Sequence, residues 1–213
     1  MNQFIIFANG DLSSECISIK PNQIVIAADG GVRHCLNLGI TPQIVIGDFD
    51  SLSDEEISIL KTNGAELIMY STQKNETDLE LAINYAVNQG GTDISLYGLL
   101  GGRWDMTFAN VLLLASINYT GVNFRIIDGK TIAYILRAGE TLNFQSQPGT
   151  TVSILPLQSA RGISYQGLEW LLDNASLPFG TPRGVSNVII ETNAQITLEE
   201  GIILVFVINS NEI

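Results

Sequence analysis

The chain has 213 residues, of which 46% are hydrophobic and 15% are charged, so it is long enough for one large or two modest folded domains and is not disordered. Its 22 acidic residues outnumber its 10 lysines and arginines, and the net charge of −12 without a basic stripe argues against a nucleic-acid partner. The apolar runs are too short to cross a bilayer, and a single histidine excludes a histidine-based triad or a multi-histidine metal site.

The two cysteines, Cys16 and Cys35, have neither the spacing of a metal site nor the number needed for a disulfide framework. Residues 1–3 lead directly into an apolar strand-like run, so we expect no signal peptide. We therefore expect a cytoplasmic protein, in a reducing compartment.

Apolar strand-like runs alternate with helix-like periodic segments up to about residue 130, which predicts a parallel sheet with helices on both faces. The predicted strands cover residues 4–8, 24–28, 44–46, 66–70, 94–97 and 124–127. The predicted helices cover residues 32–38, 54–62, 77–87 and 106–118. Because the segment 106–118 is apolar almost all round, we expect it in the interior between layers.

After Gly129 the pattern changes to short apolar runs separated by turn signals, with no helical period. The runs cover residues 132–136, 152–155, 188–191 and 202–208. This pattern is typical of an all-β module, a small sandwich or barrel. The expected fold class is therefore α/β plus all-β, with an α/β domain over residues 1–132 and a β-sandwich domain over residues 133–213.

Two aspartates, Asp48 and Asp50, follow the predicted strand 44–46 in the sequence GDFDS at residues 47–51. Open α/β sheets bind ligands at the carboxyl ends of their strands, and paired carboxylates suit a hard cation such as Mg²⁺. Capping of the following helix explains one acid here, but it does not explain two acids joined by a phenylalanine.

Five aspartates lie between a predicted strand and the helix that follows it: Asp29, Asp48, Asp50, Asp78 and Asp105. Because the carboxyl ends of parallel strands share one edge of the sheet, we expect these acids to converge on one cleft. Arg103 follows a glycine-rich turn just before a helix, a suitable place to hold a phosphate. An acidic chain repels a polyanion such as a nucleotide triphosphate, and metal ions bound between the two would neutralise this repulsion.

Single segments of this pattern have simpler explanations. The sequence TDLE at residues 77–80 is also a capping box, so capping and catalysis are equally open for Asp78. The turn at residues 101–103 alone is a weak phosphate signal.

Four motifs, in this order and spacing, resemble thiamin pyrophosphokinase: ADGG at 28–31, GDFDS at 47–51, Thr77-Asp78, and GGRWD at 101–105. In the β module, GLEW at residues 167–170 is similar to the family's Gly-Leu-Lys-Trp segment. Phe179-Gly180 followed by Ser186-Asn187 resembles its closing thiamin-binding segment. The resemblance covers most of the chain.

The resemblance implies Mg²⁺-dependent transfer of the pyrophosphoryl group of ATP to the hydroxyl of thiamin, with release of AMP. It also implies a homodimer that holds thiamin in a site shared between its subunits.

On this basis three acids are expected to hold Mg²⁺: Asp48, Asp50 and Asp78. Seven residues are expected to bind ATP: Asp29, Gly30, Gly31, Lys74, Thr77, Gly101 and Gly102. Arg103 would steady a phosphate, and Asp105 would orient Arg103 or reach the metal through water. Trp170 would stack on thiamin, although composition alone favours a core tryptophan, and Ser186 and Asn187 would bind the aminopyrimidine edge.

Three positions depart from the family pattern. Asn75 stands where an aspartate is usual, Met106 where bacterial members often have histidine, and Gly184 where some members have serine. The first two are expected to affect metal stoichiometry or rate.

Two other functions stay open at this point. One is a pyrophosphokinase that acts on another alcohol, such as a pterin. The other is a non-catalytic sensor of thiamin phosphates or nucleotides. A sensor could lose its metal-binding acids, yet Asp48, Asp50 and Asp78 are all present, so we rank it last.

Overall fold

The chain separates into two units, residues 1–129 and 130–213, and the computed structural model describes residues 2–13 and 17–209. None of the helices in these described ranges is long and apolar enough to cross a membrane.

Six parallel strands form the sheet of the first unit. They are β1 (Asn2–Phe7), β2 (Gln23–Ala28), β3 (Ile44–Gly47), β4 (Glu66–Met69), β5 (Gly91–Tyr97) and β6 (Asn123–Asp128). Their spatial order is β6-β5-β1-β2-β3-β4, so the chain moves outward from β1 to β4 and then returns to the other side of β1. This reversal creates a crevice at the carboxyl ends of β1 and β5, where sheets of this kind bind ligands.

Helices cover both faces of this sheet, as predicted. They are α1 (Val32–Asn37), α2 (Asp54–Thr62), α3 (Asp78–Asn88) and α4 (Trp104–Leu114). Val32 and Cys35 of α1 and Leu60 of α2 are fully buried in one core cluster with Ile5 and Val45. Helix α3 has no residue in that cluster and packs against β1, β2, β3 and β5, which places it on the opposite face.

The start of each of α2 and α3 follows from its sequence. Ser53 and Glu56 form a reciprocal capping box at α2. Thr77 caps α3, because its hydroxyl accepts a hydrogen bond from Glu80 N at 3.2 Å.

The expectation that the segment 106–118 lies in the interior is wrong. Helix α4 ends at Leu114, and its buried residues are Asn110 and Leu114. Trp104, Phe108 and Leu112 are between 57% and 74% exposed. Their spacing of four places them on one face of the helix, and no described residue of the chain covers that face. An apolar composition predicts that a helix needs cover, but it does not say that the same chain supplies it.

The second unit contains two antiparallel sheets, in agreement with the predicted sandwich. Its strands are β7 (Thr131–Arg137), β8 (Thr141–Gln145), β9 (Thr151–Pro156), β10 (Ala160–Gln166), β11 (Ala175–Leu177), β12 (Asn187–Val188), β13 (Asn193–Thr197) and β14 (Ile202–Ile208). One sheet has the neighbours β12-β9-β14-β7 and the other has the order β11-β10-β13-β8. Their inner faces share one apolar core.

The continuous apolar runs predicted β7, β9 and β14, whereas the run at 188–191 contains only the end of β12. Strands β8, β10, β11 and β13 were not predicted. They are short, or polar residues interrupt their apolar ones, so none of them contains the continuous apolar run that marks a strand buried on both faces.

Candidate active site

A cavity of about 620 Å³ lies in the first unit, at the carboxyl ends of its strands. It is lined by the loops that follow β1, β2, β3, β4 and β5. Eight predicted site residues line it: Asp29, Asp48, Lys74, Thr77, Asp78, Gly101, Gly102 and Arg103. The sheet edge therefore brings together side chains that are up to about 75 residues apart in the sequence.

The GDFDS turn presents its two acids through a buried phenylalanine. Phe49 is 6% exposed, belongs to the core cluster of α1 and α2, and has a left-handed φ of 63°. This conformation is unfavourable for a phenylalanine and persists only where the surroundings enforce it. Asp48 and Asp50 lie on either side of Phe49 in the chain: Asp48 is partly buried and lines the cavity, whereas Asp50 is exposed and does not line it.

Three carboxylates form the group best suited to a metal ion. One oxygen each from Asp29, Asp48 and Asp50 lie within 4.8 Å of one another. Asp29 is also held at a left-handed φ of 42°, and its Oδ2 accepts a hydrogen bond from Ser51 Oγ at 2.8 Å. Its Oδ1 is buried and has no hydrogen-bond partner among the described residues. A buried, unpaired carboxylate oxygen in an all-oxygen group fits a hard divalent cation.

The pKa values of Asp48 and Asp50 depend on each other. The pKa of Asp48 is lowered, chiefly because its carboxylate accepts a hydrogen bond from the Asp50 backbone N–H, and secondarily by Lys74. The pKa of Asp50 is raised, chiefly by the negative charge of Asp48. This repulsion is what a bound cation would relieve.

Lys74 lies between two predicted metal ligands. Its Nζ is 2.8 Å from Asp78 Oδ1 and 3.4 Å from Asp48 Oδ2. The shorter contact is a close ion pair between Lys74 and Asp78, one helical turn apart in the sequence. Asp78 is thus paired with a lysine, whereas Asp29, expected only to bind ATP, belongs to the acidic group.

Arg103 and Asp105 form an exposed pair. Arg103 Nε donates to Asp105 Oδ1 at 3.1 Å, and Arg103 Nη2 donates to Asp105 Oδ2 at 2.5 Å. Hydrogen bonding within the pair raises the pKa of Arg103 and lowers that of Asp105. Arg103 lines the cavity and Asp105 does not, so the ion pair with Arg103 is the contact that connects Asp105 to the cavity lining.

Gly30 and Gly31 do not line the cavity; they allow close packing between two of the loops that form it. A Cβ on Gly30 would overlap the Asn9 side chain, and a Cβ on Gly31 would overlap Phe7 O. These glycines therefore let the turn after β2 pack closely against the end of β1.

The loop after β1 is a part of the cavity that the sequence reasoning missed. Asn9, Gly10 and Asp11 line it, and Gly10 N and Asp11 N donate to carbonyl oxygens of the loop after β5. The ring of His34 lies 2.7 Å from Gly10 O and supports this loop. The sequence signal for this loop was the Asn9-Gly10 pair directly after a buried strand, which resembles the Asp-Gly turn after β2.

Buried polar contacts also shape the turn that contains Gly101. Asn110 of α4 donates to Leu99 O at 3.2 Å, and Gly101 N donates to Thr107 Oγ1 at 3.2 Å. Met106 of this helix lines the cavity, whereas Asn75 does not.

A second cavity, of about 310 Å³, lies within the second unit. It is lined by Tyr165, Trp170, Leu172 and residues 183–187, which include all three predicted thiamin-binding residues. Trp170 is 57% exposed, so it is not a tryptophan of the sandwich core. Ser186 is held at a left-handed φ of 63°, and Asn187 is buried with its amide bonded to the backbone of Trp170.

Steric crowding explains why residue 184 is glycine and not serine in this chain. A Cβ at this position would clash with Ile154 Cγ1 and lie 2.7 Å from Ile154 O. Gly184 O also accepts a hydrogen bond from Ile154 N at 2.8 Å, so the two backbones cannot separate without losing it.

We therefore expect Gly184→Ser to destabilise the protein by about 1–3 kcal/mol, because it overpacks a contact between two backbones. Thermal unfolding checks this value, and Gly102→Ala is the control, since no atom lies within 4 Å of a Cβ at Gly102. An unchanged melting temperature for Gly184→Ser would show that Ile154 moves aside without cost.

The sequence matches two domain families over most of its length. Residues 18–126 match the catalytic domain of thiamin pyrophosphokinase, and residues 140–203 match its vitamin B1 binding domain. The thiamine pyrophosphokinase of Bacillus subtilis (strain 168) is 27% identical over 180 residues, which are 84% of each chain. Thiamine pyrophosphokinase 1 of Oryza sativa subsp. japonica is 28% identical over an alignment of 174 residues, and the match covers 76% of this chain and 64% of the rice protein.

Solved structures agree with the sequence matches. A thiamin pyrophosphokinase family protein from Enterococcus faecalis has a TM-score of 0.85 at 25% identity and covers 99% of this chain and 100% of its own. The thiamine pyrophosphokinase of B. subtilis has a TM-score of 0.86 at 22% identity, with 98% and 100% coverage. With both family domains matched in order and the fold shared along the whole chain, this protein is an enzyme of the thiamin pyrophosphokinase family.

Proposed function

We propose that this enzyme transfers the pyrophosphoryl group of ATP to the hydroxyl of thiamin, which yields thiamin diphosphate and AMP. The observation that carries this proposal is the cavity of the first unit, which is lined by Asp29, Asp48, Lys74 and Arg103. Asp50, next to the cavity, completes the acidic group with Asp29 and Asp48. Phosphoryl-type transfer needs mainly positioning of the reactants and neutralisation of charge, which such a set of groups provides.

The metal that suits this site is Mg²⁺, which prefers carboxylate and phosphate oxygens. Bound there, it would neutralise the ATP phosphates and polarise the transferred group. We assign Asp48 and Asp50 as its ligands and add Asp29, whose unpaired buried oxygen supports this role. Asp78 is now paired with Lys74. It stays in the proposed set of ligands, because it would become available to the metal if Lys74 bound a phosphate of ATP instead.

The phosphates of ATP would be held by the positive groups around the cavity. Arg103 precedes the first turn of α4, whose free backbone N–H groups favour an anion, and Lys74 approaches from the loop after β4. Gly101 and Gly102 leave room for close approach of the nucleotide. One of the cleft aspartates would accept the proton of the thiamin hydroxyl.

Thiamin would bind at the cavity of the second unit. The exposed indole of Trp170 suits a flat cation, because the face of an aromatic ring attracts positive charge. The hydroxyl of Ser186 has no hydrogen-bond partner among the described residues, so it is available to the aminopyrimidine edge.

We also propose that the enzyme is a homodimer that holds thiamin between its subunits. The uncovered face of α4 supports this, since Trp104, Phe108 and Leu112 are exposed there and Ile117 nearby is 84% exposed. Residues 106–124 contain no charged side chain, so two copies of a chain with a net charge of −12 can meet at this surface without direct repulsion. Neighbouring large apolar side chains exposed on one surface are a common mark of an interaction site.

We propose the cytoplasm as the location of the reaction. Cys35, a buried and unpaired thiol, is compatible with the reducing conditions there.

The test of the proposed reaction is incubation of the purified enzyme with ATP, Mg²⁺ and thiamin, with AMP and thiamin diphosphate measured together. We expect the two products in equal amounts, and we expect EDTA to abolish both. If AMP formed only when another alcohol, such as a pterin, was supplied, that alcohol and not thiamin would be the substrate. Neither product with any alcohol would contradict the proposed activity.

A further inference from the structure

The side chain of Asn187 binds both polar groups of the Trp170 backbone. Asn187 Oδ1 accepts from Trp170 N at 3.1 Å, and Asn187 Nδ2 donates to Trp170 O at 2.7 Å. The same Oδ1 accepts from Val188 N at 2.8 Å. Asn187 is only 7% exposed, so these bonds form where water competes weakly and where loss of one partner is costly.

The backbone of Asn187 is itself fixed, which makes its side chain a rigid support. Asn187 lies in β12, where it pairs with Val152 of β9. The preceding Ser186 donates its backbone N–H to Ser153 Oγ at 3.0 Å, in a left-handed conformation. The turn from Ser186 to Asn187 is therefore determined by β9.

Trp170 depends on this support more than its neighbours do. Leu168 is fully buried and forms a bridge with Ile189, and Glu169 N donates to Val188 O at 2.9 Å. At Trp170 this backbone pairing ends, and among the described residues its N–H and C=O are bonded only to Asn187. The exposed indole has no stacking partner in the same described ranges.

We infer that Asn187 is a positioning residue that fixes the Trp170 backbone and presents its indole to the ligand, while Ser186 provides the polar contact to thiamin. This inference rests on the proposed function for the identity of the ligand. When the backbone is already fixed, less conformational entropy is lost as the indole stacks on a ligand. Removal of Asn187 should therefore weaken thiamin binding and leave ATP binding unchanged.

The first test uses fluorescence of the unliganded enzyme. The chain has two tryptophans, so Trp104→Phe leaves Trp170 as the only indole. In this background we expect Asn187→Ala to lower the fluorescence anisotropy of Trp170 and to increase its quenching by acrylamide. Asn143→Ala, which removes an exposed amide of β8, is the matched control and should change neither. An unaltered Trp170 signal in folded Asn187→Ala would overturn the inference.

Asn187→Asp is the second variant, in case truncation of a buried side chain prevents folding. It keeps the volume and the acceptor for Trp170 N, but it places a carboxylate oxygen where Nδ2 now donates to Trp170 O. We expect the same loss of Trp170 order as in the alanine variant. A rigid Trp170 in Asn187→Asp would show that the bond to Trp170 O has no positioning role.

The second test is a double-mutant cycle on thiamin affinity, measured by calorimetry. We expect Asn187→Ala to weaken thiamin binding by about tenfold in the wild type and to have little further effect in Trp170→Ala. The KM for ATP should stay within about twofold. An equal loss in both backgrounds would mean that Asn187 contacts thiamin directly, which overturns the inference.

The outcomes separate the inference from the proposed function. If the wild-type enzyme binds no thiamin, the proposed function fails, and the fluorescence experiment still decides whether Asn187 holds Trp170.

Discussion

Replacement of Asp48 or Asp50 with asparagine is expected to lower kcat by about a thousandfold while the protein remains folded. Asparagine keeps the size of the side chain and removes the charge that holds a divalent cation. Asp50 is exposed and Asp48 is partly buried, and the part of the turn that packs in the core is Phe49, so we expect the fold to tolerate the loss of either charge. Steady-state kinetics at saturating Mg²⁺, together with a thermal unfolding curve, measures both effects.

Glu55→Gln is the matched control for this prediction, because it removes an exposed acid from the first turn of α2 outside the acidic group. Its activity should equal that of the wild type. Near-normal turnover of Asp48→Asn or Asp50→Asn would reduce the two acids to a structural role in the turn.

The same assay ranks the remaining acids. Asp29→Asn should raise the Mg²⁺ concentration needed for half-maximal rate, since Asp29 belongs to the acidic group. Asp78→Asn should mainly change the KM for ATP, because Asp78 is the ion-pair partner of Lys74 and Lys74 is proposed to hold a phosphate. A reversed order would assign the third metal ligand to Asp78.

Mixing two inactive variants is expected to restore about a quarter of the wild-type activity, provided that the active site is shared between subunits. Trp170→Ala should impair thiamin binding far more than ATP binding, whereas Asp48→Asn should impair the nucleotide site. After random subunit exchange half of the dimers are hybrids, and each hybrid has one intact site of two. Activity at sub-saturating thiamin, compared with each variant alone, measures the gain.

Subunit exchange must be shown independently, for example by co-purification of an untagged variant with a tagged one. A mixture of Trp170→Ala with untagged Trp170→Ala is the control and should show no gain. Exchange without recovery of activity would place both ligands in sites formed by a single chain.

Local sequence was sufficient to predict the acidic edge of the first unit. Parallel strands end at the same edge of a sheet, so Asp29, Asp48 and Asp78 could be grouped from the order of strands and helices alone. The capping signals of α2 and α3 were also readable, because they involve residues three apart in the chain.

Short strands of the second unit were not predictable in this way. Strand β13 pairs with both β8 and β10, and its residues alternate between the core and the surface. Strands of this kind are stabilised by partners distant in the sequence, so their own composition indicates them only weakly.

The sequence alone determined the fold class, the family and the loops that contain the charged groups, since these follow from periodicity and from the order of motifs. The tertiary structure decided what individual side chains do. It placed Asp29 with Asp48 and Asp50, paired Asp78 with Lys74, and exposed one face of α4. It also showed that the side-chain amide of Asn187 is hydrogen-bonded to the Trp170 backbone, 17 residues away in the sequence. These roles depend on distances between residues that are far apart in the chain, and only the folded protein determines such distances.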